Sequence, residues 1–274
     1  MESAWSLGLT NADSLANLQH GLRAEPLFDR RELEPLGGFA AADPFAIYEN
    51  GIWFVFFEML IRKSNAVIAV ASSSDLDRWK VHGICLRESH HLSYPFVFRD
   101  GKEIYMVPES KSAREVIAYR AVDFPMRWER CATLARGRLM DATIVPWHGR
   151  YWILSGWHSY WLRAFWSNHP LGPYRPHWLP IARTYSKKNV RPGGRIVSVK
   201  GQLIRPVQDN TECYGKQLRA MVIERLDRGW FSEKPLQPTP LLQPAGTTWF
   251  ASRIHHLDLH AWQDGWLGFV DGCN

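Results

Sequence analysis

Five times along the chain an apolar, strand-like run stops at a glycine turn and a second apolar run follows it. In most copies an acid or an amide stands just past the second run. The first copy leads from Asp43 through Ile47 to Asn50-Gly51, then through Ile52, Val55 and Phe57 to Glu58. The second leads from Ser93 to Gly101 and through Ile104 and Val107 to Glu109. The third runs from Asp141 to Gly149 and on through Tyr151 and Leu154, the fourth from Gly193 to Gly201 and through Leu203 to Gln208. A weaker fifth spans His256 to Gly265 and then Trp266 to Asp271. Runs of this length, rich in β-branched and aromatic residues, predict strands. Hairpins recurring at roughly fifty residues predict a radial or solenoidal repeat.

After each hairpin comes a further strand-like run, such as Ala66–Ala71, Val116–Arg120, Leu162–Trp166 and Leu218–Ile223. Each of these is followed by a return that ends in tryptophan: Trp79, Trp128, Trp178 and Trp230. A unit of three to four antiparallel strands repeated radially is a propeller blade. The expectation is therefore an all-β chain forming a five-bladed β-propeller. Residues 41–274 supply the blades, and the segment 1–40 is expected to close the last one, which the end at Asn274 cuts short. A short helix is predicted between Asn11 and Arg23, where Leu15, Leu18 and Leu22 recur at helical spacing.

In a propeller the start of each blade's first strand and the end of its second converge on one mouth of the central channel. Eight residues back from each turn glycine stand Asp43, Ser93, Asp141, Gly193 and Leu257. Seven or eight forward stand Glu58, Glu109, Gly156, Gln208 and Gly272 beside Asp271. Asp43, Glu58, Glu109, Asp141, Gln208 and Asp209 should thus ring one mouth, with His91 and His256 close by. Acids converging on one rim repel unless a cation, a proton or a polar ligand compensates. Arg191 and Arg205, each followed by proline, are placed to hold either an anion or a rim carboxylate. Each acid has a plainer reading beside this one. Asp43 before Pro44 can cap a turn, and Glu58 can pair with Arg62 or Lys63.

Composition adds less. The aromatics (14 Trp, 13 Phe and 9 Tyr) suit strands and also sugar-stacking surfaces, where Trp53, Tyr94, Trp157 and Trp249 are candidates. Cys85, Cys131, Cys213 and Cys273 are far apart and read as free thiols in a reducing compartment. Neither a signal-like start nor an apolar run of membrane-spanning length occurs, so a soluble cytoplasmic protein is the expectation. The net charge of +6, densest from Arg183 to Arg195 with Lys187, Lys188 and Arg191, fits a solvated basic face. It also fits a site for phosphorylated or uronic sugars, or attraction to an acidic membrane. Nucleic acid is not the expected partner. The pairs His90-His91 and His255-His256 lack the spacing of a metal signature, so neither metal nor cofactor is expected.

Acids facing one another across a channel suit glycosidic-bond chemistry. One carboxyl group protonates the leaving oxygen, another activates water or a hydroxyl, and a third adjusts pKa values. On this reading Asp43 is base or nucleophile, Glu109 the general acid and Asp141 the pKa modulator. Glu58, His91, Tyr94, Trp157, Arg191, Arg205, Gln208, Asp209 and His256 would hold substrate. The competing reading is a non-catalytic module that binds a sugar or nucleotide sugar.

Several segments together resemble a known family: Asp43-Pro44-Phe45, His91-Leu92-Ser93-Tyr94-Pro95-Phe96, Tyr105-Met106-Val107-Pro108-Glu109-Ser110, Asp141-Ala142-Thr143, Arg191-Pro192-Gly193-Gly194, Arg205-Pro206-Val207-Gln208-Asp209 and Val270-Asp271-Gly272. They are similar to the propeller domain at the N-terminus of plant glucosamine inositolphosphorylceramide transferases. Related bacterial domains occur alone or joined to formyltransferase-like modules. The resemblance covers roughly residues 40–274. It implies a carbohydrate or glycoconjugate ligand and a glycosyltransferase or formyltransferase as partner. The domain is in turn similar to the five-bladed arabinanases, β-xylosidases and invertases, whose first-blade acid Asp43 matches. The second blade departs from that pattern, with Ser93 where arabinanases carry an aspartate.

Overall fold

A computed structural model describes residues 4–158, 161–178, 182–183 (backbone alone) and 188–274. The first strand, β1 (Trp5–Ala12), leads into four sheets formed in chain order. Blade I holds β2 (Gly38–Glu49), β3 (Ile52–Ile61), β4 (Val67–Ser73) and β5 (Lys80–Leu86). Blade II holds β6 (Ser93–Asp100), β7 (Glu103–Glu109), β8 (Glu115–Asp123) and β9 (Arg127–Arg136). In blade III are β10 (Met140–Trp147), β11 (Arg150–Trp157), β12 (Trp161–Ser167) and β13 (Arg175–Pro176), with β14 (Ala182–Arg183) also on β12. Blade IV holds β15 (Val197–Val199), β16 (Gln202–Asp209), β17 (Gln217–Leu226) and β18 (Phe231–Pro235). Blade V pairs β19 (Leu257–Trp262) with β20 (Gly265–Cys273) and takes β1 as its outer strand, Trp5 opposite Cys273. The five antiparallel sheets form the predicted five-bladed propeller.

Each sheet is covered on both faces by its neighbours. That is why β4 reads as a continuous apolar run, with Val67 to Ala71 all buried, rather than alternating. Blades I and II share a core of Phe45, Phe56, Phe96 and Trp128; blades V and I share Leu7, Leu9, Phe57 and Phe269. The predicted helix after Asn11 is only a 3-10 turn, Leu15–Asn17. Its leucines pack against blade V, and that packing does not require a longer helix. Among the described residues no helix is long and apolar enough to cross a membrane.

The hairpin turns explain one misplacement. In blades I, III and IV the glycine is the second turn residue, after Asn50, His148 and Lys200, and both turn residues have positive φ. This mirror-type turn matches strand twist. In blade II Gly101 comes first, between Asp100 and Lys102. Counting back from the glycine therefore slips by one there, and the equivalent of Asp43 is Tyr94 rather than Ser93.

At that equivalent position the inner strand bulges in three blades. Registers shift between Ala42 and Phe45, Ser93 and Phe96, and Met140 and Thr143. Asp43, Tyr94 and Asp141 there take φ of 52°, 46° and 53°. Left-handed conformations in non-glycine residues cost about 1–3 kcal/mol each and need surrounding structure to hold them. The bulge turns each side chain out of the sheet's alternation and toward the channel.

The channel itself is closed by an ion pair. Arg195 reaches from blade IV to Asp258 of blade V, Nε to Oδ1 at 2.6 Å, and donates to the carbonyls of Ala46 and Val97 in blades I and II. Asp258 also accepts from the Ala46 amide at 2.6 Å. Just above, Gly194 pairs with Leu257, and the Tyr94 hydroxyl accepts from the Gly194 amide at 2.9 Å. A Cβ on Gly194 would lie 1.8 Å from the Leu257 carbonyl oxygen, whereas one on Gly51 would meet nothing within 4 Å. Gly51→Ala should cost only the left-handed backbone, about 1–2 kcal/mol. Gly194→Ala should cost more than about 4 kcal/mol by forcing blades IV and V apart. Urea unfolding of the two variants checks the difference, and equal costs would contradict the close approach.

Candidate active site

At the mouth formed by inner-strand starts and second-strand ends, five carboxylates gather: Asp43, Glu58, Glu109, Asp141 and Asp271. Asp43 is 3% exposed and Asp141 1%. Asp271, at the end of β20, organises one half. Its Oδ2 accepts from the Asp43 amide at 3.0 Å, and its Oδ1 from the His255 and His256 amides and from His255 Nδ1 at 2.8 Å. His255 Nε2 then faces Asp43 Oδ1 at 3.7 Å, with His256 Nδ1 at 3.5 Å. Ligand atoms of Asp43, His255 and Asp271 lie within 4.8 Å of one another, a set able to hold a cation. The bridging imidazole of His255, when protonated, supplies a cation there itself.

Arg191 organises the other half. Its guanidinium pairs with Asp141 through Nε and through Nη2 at 3.3 Å. Gln208 donates to Asp141 Oδ2 at 3.4 Å and to the Pro192 carbonyl at 2.9 Å. The Asp141 amide donates to Glu109 Oε2 at 3.2 Å, which draws Glu109 against the Asp141 carboxylate. On the far side His91 Nε2 meets Glu58 Oε1 at 3.0 Å.

These surroundings drive the acids apart in pKa. Burial and the neighbouring Asp141 charge push Glu109 well above the usual carboxylate range, and Arg191 only partly opposes them. Burial also raises Glu58, against the hydrogen bond from His91. For Asp43 burial is outweighed by the imidazoles of His256 and His255 and by Arg191, and the group falls to about 2. Burial lowers His255, but the Asp271 carboxylate more than compensates and the ring lies above its ordinary value.

The structure thus brings together Asp43, Glu58, His91, Glu109, Asp141, Arg191, Gln208 and His256. It commits Arg205 and Asp209 to partners outside that group. Arg205 is fully buried between blade strands, bonded to Glu233 at 2.6 and 2.9 Å and to the Asn189 carbonyl. Asp209 spends its oxygens on Arg219, Gln217 and Thr211. Tyr94 lies wholly beneath the rim; its hydroxyl bonds Thr143 and Gly194, and its ring packs on Phe45 and His256. Trp157 stands at the end of β11, with the Arg163 guanidinium 5.1 Å from its ring and Trp161 beside it. Trp53 belongs to the turn half of blade I and Trp249 is buried in the blade V core. Lys187 lies outside the described residues, as does the side chain of Arg183.

Two residues escaped the sequence reading. Tyr214 overlies the mouth, 42% exposed, with Arg191 5.2 Å from its ring and His255 5.1 Å away. Trp5 stacks on His255 at 4.3 Å. Neither carries a periodic signal. Asp271, by contrast, holds the strand-end position of Glu58 and Glu109 and was legible as such.

The class so defined is a five-bladed propeller with buried acids at one mouth. The same fold occurs in the catalytic domain of an α-L-arabinofuranosidase from Coprinopsis cinerea, with a TM-score of 0.68, 14% identity and 97% of each chain covered. It recurs in the Cellvibrio cellulosa α-L-arabinanase, with a TM-score of 0.59, 14% identity, and 77% of this chain and 84% of that one covered. Residues 35–273 match the model of the glucosamine inositolphosphorylceramide transferase 1, N-terminal, family, and the chain belongs to that family. The rice (Oryza sativa subsp. japonica) glucosamine inositolphosphorylceramide transferase 1 is 34% identical over 251 residues, 86% of this chain and 34% of that protein. The Arabidopsis thaliana protein of the same name is 34% identical over 84% of this chain and 32% of its own length. The chain therefore spans about a third of the relatives it matches.

Glu109, Glu58 and His255 all hold protons more tightly in the folded state than in the unfolded one. Folding takes up protons above the unfolded values, so these groups make stability fall as pH rises above about 4.3 for the glutamates and about 6.5 for the imidazole. Glu109→Gln removes one of them. The variant should melt at a higher temperature than wild type, with a gap that widens as pH rises. Melting curves at several pH values check this, and a gap that narrows with pH would contradict a protonated Glu109.

Proposed function

We propose that this domain is a carbohydrate-active enzyme that works on a glycosidic linkage, by hydrolysis or by transfer to a hydroxyl. The separation of Glu109 from Asp43 in proton affinity carries the reading. A carboxyl group whose proton affinity is raised, at the same mouth as one whose affinity is lowered, is the pairing glycosidic-bond chemistry uses. Glu109 donates its proton to the leaving oxygen. Asp43, ionised and with Oδ1 free of a hydrogen-bond partner among the described residues, acts as base or nucleophile. Asp141, locked by Arg191, raises Glu109 by its charge. Tyr214 offers the ring face on which a sugar can stack at the rim. The arabinofuranosidase and arabinanase that share this fold and the transferase name of the plant relatives support carbohydrate as the substrate class.

A second reading is supported by the share of the relatives that the chain spans. A domain matching about a third of a named transferase can present a sugar or nucleotide sugar to a separate glycosyltransferase or formyltransferase. The two readings separate on a panel of glycans and aryl glycosides, scored for product release and thermal shift. The enzyme reading expects Asp43→Asn and Glu109→Gln to stay folded and to lose about 10²- to 10⁴-fold in turnover. Undiminished turnover in both would overturn it. Ligand-induced shifts in wild type and Glu109→Gln, with product from neither, would establish the binding module instead.

A further inference from the structure

On the opposite face, where the hairpins turn, three guanidinium groups converge on one indole. Trp166 of β12 has Arg175, its cross-strand partner on β13, 5.4 Å from its ring. Arg150 of β11 lies at 5.7 Å, and Arg228, from the β17–β18 turn of blade IV, at 5.4 Å. Among the described residues no carboxylate pairs with any of the three, and the buried Nε of Arg150 has no partner. The nearby acid, Asp227, is bonded to Arg225 at 2.6 Å and to the amides of Gly229 and Trp230 at 2.8 Å.

Sequence sharpens the imbalance. Between Asp141 and Asp209 the chain carries ten Lys or Arg residues and no Asp or Glu. No carboxylate in that stretch can neutralise the cluster. Like charges gathered on one platform favour an anion between them.

The same edge exposes two large apolar rings. Trp230 is 55% exposed and Trp178 73%. They flank the contact that joins the blades, His177 Nε2 to the Asp227 carbonyl at 3.0 Å. A pocket of about 280 Å³ opens beside Trp166 and Arg175. Guanidiniums without acids, next to exposed tryptophans, combine the two features that hold proteins at an anionic membrane surface: charge attraction and indoles that settle at headgroup depth.

We propose that the turn-side edge between blades III and IV is a membrane-docking site. Arg150, Arg175 and Arg228, ranged round Trp166, take the phosphate of an anionic phospholipid headgroup, and Trp230 and Trp178 enter the headgroup layer. The inference goes beyond the reaction proposed above and is independent of it, because no residue of the acidic mouth takes part.

Flotation of the whole chain with vesicles of phosphatidylcholine alone, or of phosphatidylcholine mixed with phosphatidylinositol, tests it. Wild type should float with the mixed vesicles only, and Trp230→Ala should weaken that binding. Replacing all three arginines by alanine should lower partitioning roughly a hundredfold, at about fivefold for each cation near the surface. Replacing all three by lysine keeps the charge and loses the planar stacking. This variant should bind at least about tenfold more weakly than wild type. Undiminished binding by it would overturn a headgroup site organised on Trp166. Equal binding to both vesicles, or to neither, would overturn the proposal outright. So would binding of free inositol 1-phosphate, or of single-stranded RNA, that the alanine variant loses while no vesicle is bound. Melting temperatures equal to wild type establish that each variant is folded.

Discussion

The structure depends on an ion pair at its centre. Closing five sheets into a ring leaves a channel lined by inner strands, and Arg195 and Asp258 bridge it. Neither charge could be buried there alone. An uncompensated ion at such a depth costs several kcal/mol, whereas a paired one with its remaining donors satisfied costs far less. Arg195 meets that condition by bonding Asp258 and the carbonyls of Ala46 and Val97, with Phe96 4.9 Å below its guanidinium. One side chain thereby touches blades IV, V, I and II. Its contribution is to registration as much as to stability, since every partner must be in place for the charge to be tolerated.

That plug sets the conditions at the mouth above it. With the channel bridged below them, the acids lie in a largely buried environment, and their charges act on one another strongly. Five carboxylates face Arg191, His255 and His91, so all of them cannot be ionised at low cost. Proton affinity rises at Glu109, where burial and the Asp141 charge outweigh Arg191, and falls at Asp43, where imidazoles converge. The left-handed bulges at Asp43 and Asp141 belong to the same arrangement. An ordinary strand would send these side chains alternately into the sheet faces, and the bulge is what aims them inward.

Most of the fold was legible because propeller strands are buried on both faces, and such strands announce themselves as apolar runs between glycine turns. The rim acids were legible for a related reason: Glu58 and Glu109 are charges that interrupt or end apolar strands at the same distance past the turn. Three things could not be read. The one-residue slip in blade II depends on which of two turn positions Gly101 occupies, and that is a matter of φ rather than of spacing. The burial of Arg205 depends on Glu233, distant in sequence and joined only by the packing of β16 and β17 against β18. Tyr214 and Trp5 reach the mouth from a loop and from the N-terminal strand, and neither position has a period to betray it. Arg195 and Asp258 left a fainter trace, as charges embedded beside Ile196 and between Leu257 and Leu259.

The molecule is polar along its axis. One mouth gathers carboxylates; the turn side of blades III and IV gathers guanidiniums and open indoles, and the Arg195–Asp258 pair lies between them. Opposite signs at the two ends orient the protein in any external field, and an anionic surface attracts the basic edge while repelling the acidic mouth. A propeller resting on its turn side therefore presents Asp43 and Glu109 away from that surface. In this orientation the mouth opens to solvent rather than to the leaflet.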